Sequence, residues 1–159
     1  MKKNILNFLK QNDYLITIGK FIIGILMFII IDIFYLKSVS KYFTNMTKNI
    51  RLRRHYLIIP IFFIYLILFS TLHHFVLKNI NFDFDKITNY AYILPQLLNS
   101  FFLGFSIYSI YELTNYALFK NWTFHMVIMD SIWGGILCTI VSIMYILFIS
   151  FTNKYFNIM

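Results

Sequence analysis

Four apolar runs constrain this 159-residue chain more than any other feature. They extend from about Tyr14 to Leu36, Tyr56 to Leu77, Tyr92 to Phe119 and Met126 to Phe151. Each exceeds the ~20 residues that a helix needs to cross about 30 Å of hydrocarbon. In lipid the backbone must satisfy its own polar groups, and no alternating pattern suggests a barrel. The expected fold is all-α: a four-transmembrane-helix bundle forming a single integral membrane domain over 1–159. Pro60 and Pro95 are expected in the first turn of their helices, where a missing N–H costs little. Residues 2–10, KKNILNFLK, mix lysines with Ile5, Leu6, Phe8 and Leu9 and read either as a short interfacial helix or as a frayed terminus. No small-residue cleavage site follows the first run, so it reads as a retained helix.

Composition agrees. The chain is 60% hydrophobic and 13% charged, with mean hydropathy +0.71, and cannot supply the polar surface of a soluble domain. The formal charge of +8 belongs to loops beside a bilayer, and no basic groove points to nucleic acid. The single cysteine, Cys138, excludes an intramolecular disulfide. There is no Gly-rich phosphate loop, no His/Cys metal spacing and no Ser/His/Asp order, so no cofactor is expected. The expected partner is the lipid bilayer, with room for a small ligand or ion.

Four spans put both termini on one side, here side A, and the first and third loops on side B. Lys37, Lys41, Lys48, Arg51, Arg53, Arg54 and Lys120 lie on side B. Lys2, Lys3, Lys10, Lys78, Lys86 and Lys154 lie on side A, with Lys20 just inside. The numbers nearly tie, but the density from Lys37 to Arg54 favours side B as cytoplasmic. Loops 37–55 and 120–125 are thus expected in the cytoplasm and the termini opposite. Asn45-Met-Thr47 and Asn121-Trp-Thr123 match the glycosylation sequon and are expected to stay unmodified there.

A buried carboxylate in a bilayer costs roughly 2.5–3.5 kcal/mol on insertion scales. The chain nevertheless places Asp32, Glu112 and Asp130 in its first, third and fourth runs. Alternating helix direction brings all three to one level, roughly 6–10 Å inside side B at 1.5 Å per residue. Helical spacing gives each acid polar or aromatic company on its own face: Asp32 with Tyr35, Glu112 with Tyr108 and Asn115, Asp130 with Trp133 and Gly134. Glu112, deep in the longest run, is expected to be partly protonated near neutral pH while Asp130 stays ionised.

The stretch YELTNYALFKNW followed by MDSIWG resembles the signature of a family of small bacterial membrane proteins, domain of unknown function 2177. Its usual form is Tyr-Asp-Leu-Thr-Asn, then Trp, then Asp-x-x-Trp-Gly. The matching positions are Tyr111, Leu113, Thr114, Asn115, Trp122, Asp130, Trp133 and Gly134. IDIFYL resembles the family's Asp-x-x-Trp-Leu, which maps Asp32 and Leu36. Glu112 stands where Asp is usual and Tyr35 where Trp is usual. Both changes alter reach, which argues against a tight metal geometry. The resemblance implies four helices and a shared polar motif, and no activity.

Three readings follow. The leading one is binding or transport of a small ligand, cation or proton at a carboxylate cluster, with Asp32, Tyr35, Tyr108, Glu112, Asn115, Asp130 and Trp133 as candidate site residues. Any metal would fall to Asp32, Glu112 and Asp130. The alternative is a structural or assembly subunit whose acids fix helix packing. An enzyme acting on lipids or isoprenoids ranks last, because no nucleophile motif and no histidine lies at the right depth. His73 and His74 belong to the side-A interface, and His55 and His125 to loops. Trp122, Tyr42 and Tyr56 fit an aromatic belt. Gly24, Gly104, Gly134 and Gly135 are expected to permit close helix packing.

Overall fold

The computed structural model describes the backbone of residues 2–48 and 58–156, and the side chains of residues 14–48 and 58–154. Five helices follow in order: α1 Lys2–Thr47, α2 Ile58–Phe75, the short α3 Phe84–Ile87, α4 Tyr90–Leu118 and α5 Phe124–Phe156. α1, α2, α4 and α5 are long and apolar enough to cross a membrane. No strand occurs among the described residues.

α1 is longer than its apolar run. Its 46 residues span roughly 69 Å, more than twice the hydrocarbon thickness. Residues 2–10 are helical and continue into the span without a break. At the other end, residues 37–47, expected as loop, are helical too. Nothing there stops a helix, since neither Gly nor Pro occurs between Gly24 and Pro60. Tyr35, Val39, Phe43 and Met46 recur at helical spacing and pack with Trp122, just before α5, and with Met126 and Val127 in its first turn. The hydroxyls of Ser38, Ser40, Thr44 and Thr47 turn back onto the carbonyls of Tyr35, Lys37, Ser40 and Phe43.

The expected start at Tyr56 lies outside the described residues; α2 is described from Ile58, with Pro60 in its first described turn. α4 begins two residues earlier than expected, because Asn89 caps it by accepting from the Ala91 N–H at 3.0 Å. Pro95 consequently falls in the second turn rather than the first. Between α2 and α4 the chain folds onto the bundle: a 3-10 turn over Leu77–Asn79 leads to α3, and Leu77, Ile80 and Ile87 are buried in the core.

Neighbouring helices run antiparallel. Gly24 of α1 meets Phe69 of α2, and Phe21 meets His73. Ser100 and Ser142 share a 2.8 Å hydrogen bond between α4 and α5, and Tyr116 meets Phe124 at the other end of that pair. α5 is the central helix, with 50% of its most apolar stretch buried against 11–22% for the others. α4 approaches it most closely where side chains vanish. A methyl group on Gly104 would lie 2.1 Å from the Gly134 carbonyl oxygen and 2.7 Å from the Cys138 sulfur. Tyr108 lays its ring on Gly134 in the same way. The residue type at these positions therefore decides how near the backbones come.

Candidate functional site

The close packing of α1 and α4 on α5 brings the three acids to one level of the bundle. Glu112 is fully buried, and Asp32 and Asp130 are 6% and 4% exposed. Buried acids need donors, and each finds an aromatic one on another part of the chain. Trp133 of α5 donates its Nε1–H to Asp32 Oδ1 at 2.8 Å. Tyr65 of α2 donates to Asp32 Oδ2 at 2.9 Å. Tyr35 of α1 donates to Asp130 Oδ1 at 2.5 Å. Trp122, in the turn between α4 and α5, donates its Nε1–H to Glu112 Oε2 at 2.6 Å.

The donors cross between helices. The sequence pairs Asp130 with Trp133 and Asp32 with Tyr35, each three residues apart on one face. In the structure each ring serves the acid of the other helix. Antiparallel packing sets the two Asp-x-x-aromatic motifs against each other, and the Tyr35 and Trp133 rings stack at 4.3 Å with 9° between their planes.

The three acids are not equivalent. Asp32 has a donor on each oxygen and ties α1, α2 and α5 together. Glu112 and Asp130 instead lie within hydrogen-bonding reach of one another. Glu112 Oε1 is buried and meets no N–H or O–H donor. Asn115, one turn further along α4, has a buried Nδ2 that reaches no acceptor. Tyr108 packs against Gly134 within the same layer.

Among the described residues no three His, Cys, Asp or Glu side chains are grouped to hold a metal ion. Asp32, Glu112 and Asp130, to which any metal would fall, form no such group. The oxygens of Asp32 are already engaged by Tyr65 and Trp133. The structure also moves Trp122 out of the aromatic belt: it is 6% exposed, sealed under Phe43 and Phe119. Tyr65 joins the site without having been expected there. Its signal was depth, since it lies seven residues into α2 from side B, roughly 10 Å, at the level of the acids. His73 stays at the far end of α2, edge-on to Phe21.

A family model described as "Predicted membrane protein (DUF2177)" matches residues 17–147. The chain belongs to this family. No curated protein and no solved structure matches it. The DUF2177 match runs from α1 to the last third of α5, and so takes in all three acids and all four aromatic donors.

Proposed function

We propose that this DUF2177 protein binds and moves protons through the Glu112–Asp130 pair, with Asp32 as a packing tie. One observation carries the reading: a fully buried Glu112 has an oxygen that no donor reaches, and its carboxyl group is within hydrogen-bonding reach of Asp130. Two carboxylates cannot hydrogen-bond to each other, so one proton between them completes the contact. It also removes one of two charges from a low-dielectric site. Tyr35 and Trp122 then hold the outer oxygens of a mono-anionic pair. A proton so placed is near side B, which the density of basic residues assigns to the cytoplasm.

The alternative, that the acids only fix packing, has its own support in Asp32, whose two donors leave nothing to exchange. The two readings divide at Glu112. Vesicles containing the protein and a trapped pH dye test the movement of protons. After an external acid jump, the interior acidifies faster with the wild type and with Asp32→Asn than with Glu112→Gln. Equal rates for wild type and Glu112→Gln contradict proton movement through the pair.

A further inference from the structure

Where α1 leaves the membrane and α5 enters it, the bundle carries a cavity of about 320 Å³ lined by Tyr42, Asn45, Met46, Asn121, Thr123 and His125. None of these residues belongs to the carboxylate site. Tyr42 lies seven residues beyond Tyr35 on α1, roughly 10 Å further toward side B, at the level of headgroups rather than acyl chains. Trp122, between the lining residues Asn121 and Thr123 in sequence, is itself buried and gives its Nε1–H to Glu112.

The lining holds no carboxylate and is rich in polar groups: two carboxamides, a threonine hydroxyl, a phenol and an imidazole. Its surroundings are basic. Lys41 lies one turn before Asn45 on the same helical face, Lys48 follows the end of α1 three residues after Asn45, and Lys120 precedes Asn121. No Asp or Glu occurs in residues 33–57 or 113–129. The Tyr42 and His125 rings lie nearly parallel, 10° apart, with centroids at 6.3 Å, and Met46 gives the cavity a buried apolar wall. Donors without a competing acid, lysines around them and an apolar wall at headgroup depth suit a phosphate attached to a greasy body.

We propose that this cavity binds a phosphate-bearing group, supplied by the headgroup of an anionic phospholipid. Asn45, Asn121 and His125 donate to the phosphate oxygens, the lysines supply the charge, and Met46 and Tyr42 meet the glycerol end.

Purified protein in maltoside micelles is titrated with dihexanoyl phosphatidylglycerol, dihexanoyl phosphatidylcholine and inorganic phosphate, with binding read by calorimetry. Phosphatidylglycerol is expected to saturate one site and to bind more tightly than phosphatidylcholine. The double variant Asn45→Ala/His125→Ala is expected to bind it at least about tenfold more weakly, because two hydrogen bonds to a charged group are lost. Both side chains are exposed, so this variant keeps its fold. Lys86→Gln, at the opposite end, is expected to bind as the wild type does. Inorganic phosphate that competes at millimolar concentration would name free phosphate as the ligand in place of a lipid. Unchanged binding by the double variant, or equal binding of the two lipids, overturns the site and leaves only a loose attraction to lysines.

Discussion

Tyr35 and Trp133 stack at 4.3 Å, and each gives its hydrogen bond to the acid three residues before the other in sequence. The exchange explains how α1 and α5 can each carry an aspartate in lipid. Each helix supplies the donor that the other's acid needs, and the stacked rings fix both donors in place.

The crossed pairing predicts a specific pattern of coupling. Trp133→Phe and Tyr35→Phe keep a ring in the stack and lose one donor each. Polar contacts between membrane helices average about 0.6 kcal/mol, and hydrogen bonds to charged groups reach about 3 kcal/mol, so each variant is expected to lose roughly 1–2 kcal/mol. Double-mutant cycles measured by unfolding in mixed micelles should couple Trp133 to Asp32 and Tyr35 to Asp130. Coupling of Trp133 to Asp130 in place of Asp32 would contradict the geometry.

The approach of α4 to α5 predicts a steric effect. Gly104→Ala forces a methyl group against the Gly134 carbonyl, a backbone atom that cannot turn aside. Overpacking of this kind costs roughly 1–3 kcal/mol. Gly19→Ala, with nothing within 4 Å, is the internal control and is expected to leave stability unchanged or slightly raised. Thermal unfolding in detergent compares the two. Equal stability of both variants would show that the helices are not in close contact at Gly104.

Topology is the third prediction. In a Cys138→Ser background, Lys48→Cys is expected to resist an impermeant maleimide applied to intact cells and to react in inverted membranes. Lys86→Cys is expected to behave oppositely. Labelling of position 48 from outside would reverse the orientation and place the proton pair near the outer face.

The spans were legible because bilayer thickness turns hydropathy into length, and the level of Asp32, Glu112 and Asp130 follows from counting residues along alternating helices. The partners of those acids were not legible. Spacing on one helix shows which side chains share a face, but not which neighbour that face meets. Spacing alone therefore matches Trp133 to Asp130 and not to Asp32. Tyr65 is one of 12 tyrosines in an aromatic-rich chain and carried no local mark. Trp122 lies at the expected depth of a belt residue, and only the turn back from α4 to α5 directs its indole inward. The helix beyond Leu36 is hidden in the sequence because its lysines and serines resemble loop, while its packing face recurs every three to four residues through Tyr35, Val39, Phe43 and Met46. Pro95 was misplaced because the cap at Asn89 starts α4 ahead of the apolar run.

The shared proton is tested most directly by infrared titration of the purified protein in lipid. A protonated carboxylic C=O band is expected at pH 7. It should vanish in Glu112→Gln, which removes one acid of the pair. It should vanish also in Asp130→Asn, where the amide N–H donates to an ionised Glu112 and no proton is required. It should persist in Asp32→Asn, because both Asp32 oxygens already have donors. A wild type without the band at pH 7, or a band indifferent to Glu112 and Asp130, would contradict the account.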